Sequence, residues 1–103
     1  MIFIHFNCIP KWDSENNAEY GGAFITCWIN VNDVFEAEQF ARKYIDSIGW
    51  QIESIEEKYP INLSDYEDDH SNEGVNSYKS AVLNGSSFTI HTFPNEELSG
   101  GVA

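Results

Sequence analysis

The chain has 103 residues, with 17 acids against 5 bases, a net charge of −12 and a pI near 4.3. That length supports one domain with a single modest core, and no apolar run approaches the ~20 residues of a membrane span. A domain this acidic repels nucleic acid and anionic lipid, since repulsion replaces counterion release, whereas it suits a basic partner.

Apolar residues make up 42% and aromatics 15%, which excludes a disordered chain. Met1 to Ile9 reads as a strand, with Ile2, Ile4, Phe6 and Cys8 on one face and Phe3, His5 and Asn7 on the other, ended by Pro10. This start carries no basic n-region and no small-residue cleavage site, so a cytoplasmic location is expected. Residues 10 to 22 form a long polar connection holding Trp12 and Tyr20 beside Asp13, Glu15 and Glu19. Aromatics among acids suit a protein-binding loop; the competing reading folds Trp12 and Tyr20 down over a sheet edge.

The clearest signal spans residues 23 to 48. Ala23 to Val31 is a strand, with Ala23, Ile25, Cys27, Ile29 and Val31 on a fully apolar face and Phe24, Thr26, Trp28 and Asn30 on a half-apolar one. Such a strand belongs in the middle of a sheet. Asp33 and Glu36 form a capping box, and Ala37, Phe40, Ala41, Tyr44, Ile45 and Ile48 make one helical stripe. Glu38 and Arg42 are spaced as an i, i+4 pair, and Gly49 follows as the left-handed stop.

Trp50 to Tyr59 reads as a third strand of imperfect phase, Trp50 and Ile52 on one face and Ile55 and Tyr59 on the other, which points to a bulge. The unit from 23 to 59 should hold its two strands parallel through a right-handed crossover. Residues 61 to 73 carry the densest acids, Asp65, Glu67, Asp68, Asp69 and Glu73, with no base between Lys58 and Lys79. Stability gives no reason to concentrate like charges. Glu73 to Asn84 reads as a second helix with Val75, Tyr78 and Val82 inward and Ala81 and Leu83 beside them. Gly85 stops it, and Ser86 to Phe93 is the last strand, Phe88 and Ile90 on one face, His91 and Phe93 on the other. The polar, Gly-rich segment 95–103 is expected to be a flexible tail.

The order ββαβαβ predicts an α+β two-layer sandwich, with a four-stranded mixed sheet and two helices on one face. It resembles ferredoxin-like folds, from which the extra leading strand and missing leading helix depart. Residues 1–103 form a single domain.

Cys8 and Cys27 lack a Cys-x-x-Cys spacing and read as buried thiols of a reducing compartment, with a disulfide open if their strands are neighbours. His5 and His91 would face each other if the terminal strands pair, and His70 follows a run of acids without a calcium-loop spacing. No dinucleotide, Walker, zinc-protease or nucleophile-elbow motif occurs. The expectation is therefore a non-enzyme without cofactor or metal.

The acidic segments 13–19 and 65–73, on a small two-layer domain, resemble bacterial contact-dependent growth inhibition immunity proteins in size and charge. The resemblance implies an antitoxin that occludes a basic toxin domain such as an RNase. Asp65, Glu67, Asp68, Asp69 and Glu73 would meet the partner first, and Trp12, Asp13, Glu15 and Glu19 second. The alternative is a self-associating or ligand-binding module whose open sheet face carries Phe3, His5, Trp28, His91 and Phe93.

Overall fold

The structure, a computed structural model, describes residues 1–13, 20–66 and 73–94. Its elements are β1 (Ile2–Pro10), β2 (Tyr20–Ile29), α1 (Val34–Ser47), β3 (Trp50–Pro60), a 3-10 turn (Leu63–Tyr66), α2 (Glu73–Asn84) and β4 (Ser86–Pro94). The ββαβαβ order, the four-stranded sheet and the α+β class stand as expected. Each predicted element falls where its periodicity put it, although β2 begins three residues early, taking Tyr20 and the Gly pair into the strand.

The sheet runs in the order β3-β1-β2-β4, and every neighbouring pair is antiparallel. The expected mixed sheet is therefore replaced by a wholly antiparallel one. β2 and β3 do point the same way, but β1 lies between them and pairs with both. The terminal strands do not pair, so His5 and His91 are not facing residues: His5 opposes Thr26, and His91 opposes Phe24.

The first face of the sheet packs on α1. Asp33 caps that helix, its Oδ1 accepting from the backbone N–H of Phe35 at 2.8 Å and of Glu36 at 3.3 Å. Ile2, Ile4, Phe6 and Cys8 of β1, with Ala23, Ile25, Cys27 and Ile29 of β2, meet Ala37, Ala41 and Ile45 in the main core. The two helical alanines are small enough to let α1 approach the sheet closely, and the large β-branched side chains opposite supply about 1.5–3 kcal/mol each on burial. Gly49 closes the helix with φ 87°.

β3 contains two register shifts, at Glu56 and at Glu53, which leave those residues without an opposite partner on β1. The shifts change the expected faces: Trp50, Ile52 and Ile55 all pair into the core side, opposite Pro10, Cys8 and Phe6, while Tyr59 goes to the other side, opposite Phe3.

The second helix is where the packing departs from expectation. α2 lies against the opposite face from α1. Its Ala81 packs with Trp28 and Ile61, beside Phe3, Tyr66 and Tyr78, and Phe3 and Trp28 are register partners on the side away from Ile2 and Ile4. After β3 the chain turns over the end of the sheet, where the backbone N–H of Ile61 donates to the Met1 carbonyl at 3.0 Å. The half-apolar face of β2 explains the placing, since Trp28 and Phe3 need cover. Small Ser77 and Ala81 face inward, whereas Val82 and Leu83 are exposed, against the predicted stripe.

Cys8 opposes Ala23, while Cys27 opposes Ile4. Four residues of strand, roughly 13 Å, separate their register positions, beyond the ~7 Å that a disulfide spans between Cα atoms. Both thiols are free and buried.

Candidate functional site

α2 and the 3-10 turn cover only one end of the second sheet face. The rows of side chains below that cover can be read from the register. Glu57, His5, Thr26 and Thr89 form one row across all four strands, and Ser54, Asn7, Phe24 and His91 form the next. His5 is held in place: its Nδ1 lies 2.7 Å from the Thr26 hydroxyl, and its ring stacks on Phe24 with centroids 5.4 Å apart. Phe24 leans on Phe93 at 5.8 Å. The Phe93 ring lies over Gly22, where a Cβ would come within 2.7 Å of Phe93 Cε2 and 2.9 Å of the Cys8 carbonyl oxygen. Phe24 and Phe93 remain 38% and 37% exposed, a small aromatic floor open to solvent.

Acids rim that floor. Glu57 stands at its β3 side, next to His5. At its β4 side Glu73, the first residue of α2, lies 3.2 Å from His91 Nε2. Towards the covered end, burial first, and then the charges of Glu57, Tyr66 and Asp65, raise the Tyr59 hydroxyl above its ordinary range. Asp65 itself accepts from the Asn62 backbone N–H at 2.8 Å, which caps the 3-10 turn. The exposed edge of β3 adds Glu53 and Glu56.

The cations lie elsewhere. Lys11 pairs with Asp46 of α1 at 2.5 Å, and Arg42 and Lys58 both pair with Glu38 at 2.8 Å. Lys43 is an exposed residue of α1. Of the five bases only Lys79 of α2 belongs to the other side of the sheet.

Of the residues singled out in the sequence, Glu73 borders the aromatic floor and Asp65 lies at the covered end near Tyr59, while Glu67, Asp68, Asp69, Glu15 and Glu19 lie outside the described residues, as do His70 and the segment 95–103. Trp12 and Asp13 are not brought to Asp65. They follow the end of β1 that pairs with Trp50, whereas Asp65 follows the Pro60 end of β3, opposite Ile2. The separation is the length of a nine-residue strand, about 30 Å. Trp12 is 86% exposed and does not fold over the sheet, while Tyr20 does, its ring 6.1 Å from that of Trp50. Of the aromatic face expected to be open, Trp28 is 4% exposed.

Sequence reasoning placed Phe93 on an open face with His5 and His91 but missed Glu57 and Phe24 as members of that surface. Alternation assigns Phe24 and Phe93 to faces but not to neighbouring strands, and the two bulges hide which acids of β3 turn towards His5.

Two clefts border α1. One, of about 220 Å³, is lined by Ile29, Val31, Glu36, Phe40, Asn84, Gly85 and Ser86. The other, of about 280 Å³, is lined by Arg42, Ile45, Asp46, Trp50, Gln51 and Ile52. Neither joins a nucleophile to a base. Among the described residues, no three His, Cys, Asp or Glu side chains converge as metal ligands, and no helix is long and apolar enough to cross a membrane. Compared with known proteins, the chain matches no family model, no curated protein and no solved structure.

Proposed function

We propose that this protein is an acidic inhibitor that binds a basic toxin domain, of the nuclease class, and neutralises it by covering its active site. One observation carries the reading: the bases are drawn to α1, three of them in ion pairs, and the opposite side presents Glu57 and Glu73 beside Phe24 and Phe93, with Asp65 further along the same face by the exposed Tyr59. Carboxylates fixed in that way stand in for substrate phosphates against Arg and Lys. Phe24 and Phe93 offer ring faces to a guanidinium, which adds about 0.5–2 kcal/mol where the contact is desolvated. The net charge of −12 speeds capture of a basic partner by long-range attraction. The free, buried thiols support a reducing compartment, and the proposal takes the cytoplasm as the site of action.

The test is retention of a nuclease from lysate of the source cells on the tagged protein, eluted in a salt gradient, with the nuclease's activity assayed before and after addition of the protein. A basic nuclease released late and inhibited at one-to-one stoichiometry is expected. The variant Glu57→Lys with Asp65→Lys should lose most of that inhibition while keeping its fold. Inhibition unchanged in the double variant removes this surface from the interface, and retention of no basic protein sinks the reading.

A further inference from the structure

The two edges of the sheet differ. β3 carries Gln51, Glu53, Glu56, Glu57 and Lys58 and two bulges, features that discourage a further strand from pairing. β4 has none of them. From Ser80 to Asn95 the sequence contains no Asp, Glu, Lys or Arg. β4 pairs with β2 on one side, and among the described residues no strand pairs with its other side. Along the nine residues of that edge, every second residue turns its backbone N–H and C=O groups away from β2. On its α1 side stand Ile90, 41% exposed, and Phe40, stacked on Phe88 at 6.3 Å.

We infer that β4 is a docking edge for a second copy of this chain, pairing antiparallel to form one continuous eight-stranded sheet. The hydrogen-bonding edge demands an extended strand, and the sequence of β4 fits its own reverse. With a two-fold axis at Ile90, Phe88 faces Thr92, His91 faces Thr89 and Phe93 faces Ser87, so that each ring meets a small hydroxyl residue and Ile90 meets its copy. The axis keeps α1 of both copies on one side, which brings Phe40 and Phe88 of each towards the seam. Charge points the same way: the rest of the surface repels a second copy, and the uncharged edge is where two such molecules can meet. This inference does not rest on the inhibitor reading.

The experiment is sedimentation equilibrium of the full chain over a concentration series at low and high salt, for the wild type, Ile90→Asp and Ile90→Cys. The wild type should move from 11.7 kDa to twice that mass with concentration, and more readily at high salt, which screens the acids. Ile90→Asp, placing two carboxylates on the axis, should stay monomeric with an unchanged far-UV spectrum. Ile90→Cys should form a disulfide-linked dimer under mild oxidation, since directly opposed residues hold their Cα atoms about 4.5–5.5 Å apart. A wild type that is monomeric throughout, together with an Ile90→Cys variant that does not cross-link, overturns the inference. So does a dimer that survives Ile90→Asp, or pairing of β4 only with a strand of another protein.

Discussion

The indole N–H of Trp28, next to the last residue of β2, donates to the Tyr66 hydroxyl at 2.8 Å. That bond joins the sheet to the 3-10 turn from which the acidic segment departs. Trp28 is buried, with its ring edge-on to Phe3 at 5.6 Å, so its N–H has little access to water. Tyr66→Phe keeps the ring that packs near Tyr78 and removes the hydroxyl that accepts from Trp28. The expected cost is about 1–3 kcal/mol of unfolding free energy, the penalty of a buried donor left unpaired. Urea denaturation followed by tryptophan emission measures it. A loss below a few tenths of a kcal/mol would mean that the turn is held by apolar packing of Ile61 and Tyr66 alone.

The two acidic regions should behave as independent sites. Asp13 and Asp65 stand beyond opposite ends of the strand pair β1 and β3, a distance of about 30 Å, several times the Debye length at physiological salt. Asp65→Lys should weaken a basic partner by at least about 1 kcal/mol, and Asp13→Lys, taken alone, by less than about half of that. The on-rate at low salt is the quantity to follow, since both variants change the long-range field. Equal losses from both would mean a partner large enough to span the sheet from end to end. The pair Asp68→Lys with Asp69→Lys extends the same test to the acids following Tyr66, with folding expected to stay nearly unchanged.

Much of this architecture is legible in the sequence. The Asp33 cap, the spacing of Ala37, Ala41 and Ile45, and Gly49 and Gly85 with φ 87° and 90° mark both helices to within a residue or two. The placing of α2 is harder to read. Its buried residues are Ser77 and Ala81, and small side chains carry almost no hydrophobic signal, so the larger Val82, 53% exposed, draws the eye to the wrong side. The one clue lies on another element, the half-apolar face of β2, where Trp28 requires a cover. Register is not legible at all: the row from Glu57 through His5 and Thr26 depends on the bulges at Glu53 and Glu56, which alternation registers only as an imperfect phase.

The cysteines give a prediction at high pH. Burial raises the Cys8 thiol to about 12, and burial, followed by the nearby Cys8, raises Cys27 further still. The folded chain thus keeps both protons above pH 9, where the unfolded chain has released them. The native state then binds more protons than the unfolded state, and stability falls as pH rises. From about pH 9 towards 11 the decline should approach about 1.4 kcal/mol per pH unit for each thiol. Cys8→Ala with Cys27→Ala should flatten that slope while lowering stability at neutral pH, where each substitution leaves a cavity. In the folded wild type neither thiol should react with a thiol reagent at mildly alkaline pH, and both should react in denaturant.

Among the described residues, the acid that governs stability at low pH is Glu38, whose carboxylate accepts from Lys58 of β3 and from Arg42 one turn along α1, each at 2.8 Å. Those hydrogen bonds, Lys58 first, hold its carboxyl below the ordinary range. A depressed carboxyl stabilises the fold at every pH above its unfolded value, and that contribution is lost as pH falls through the folded one. Both cations are partly solvent-exposed, so the pair of bridges contributes no more than about 1 kcal/mol. Glu38→Gln should therefore lower stability by up to that amount at neutral pH, and the deficit should shrink towards zero below about pH 4, where the wild-type carboxylate is itself protonated. Raising the salt at neutral pH should shrink it too. A deficit that persists unchanged at low pH would assign the role of Glu38 to the shape and packing of its side chain between α1 and the β3 edge.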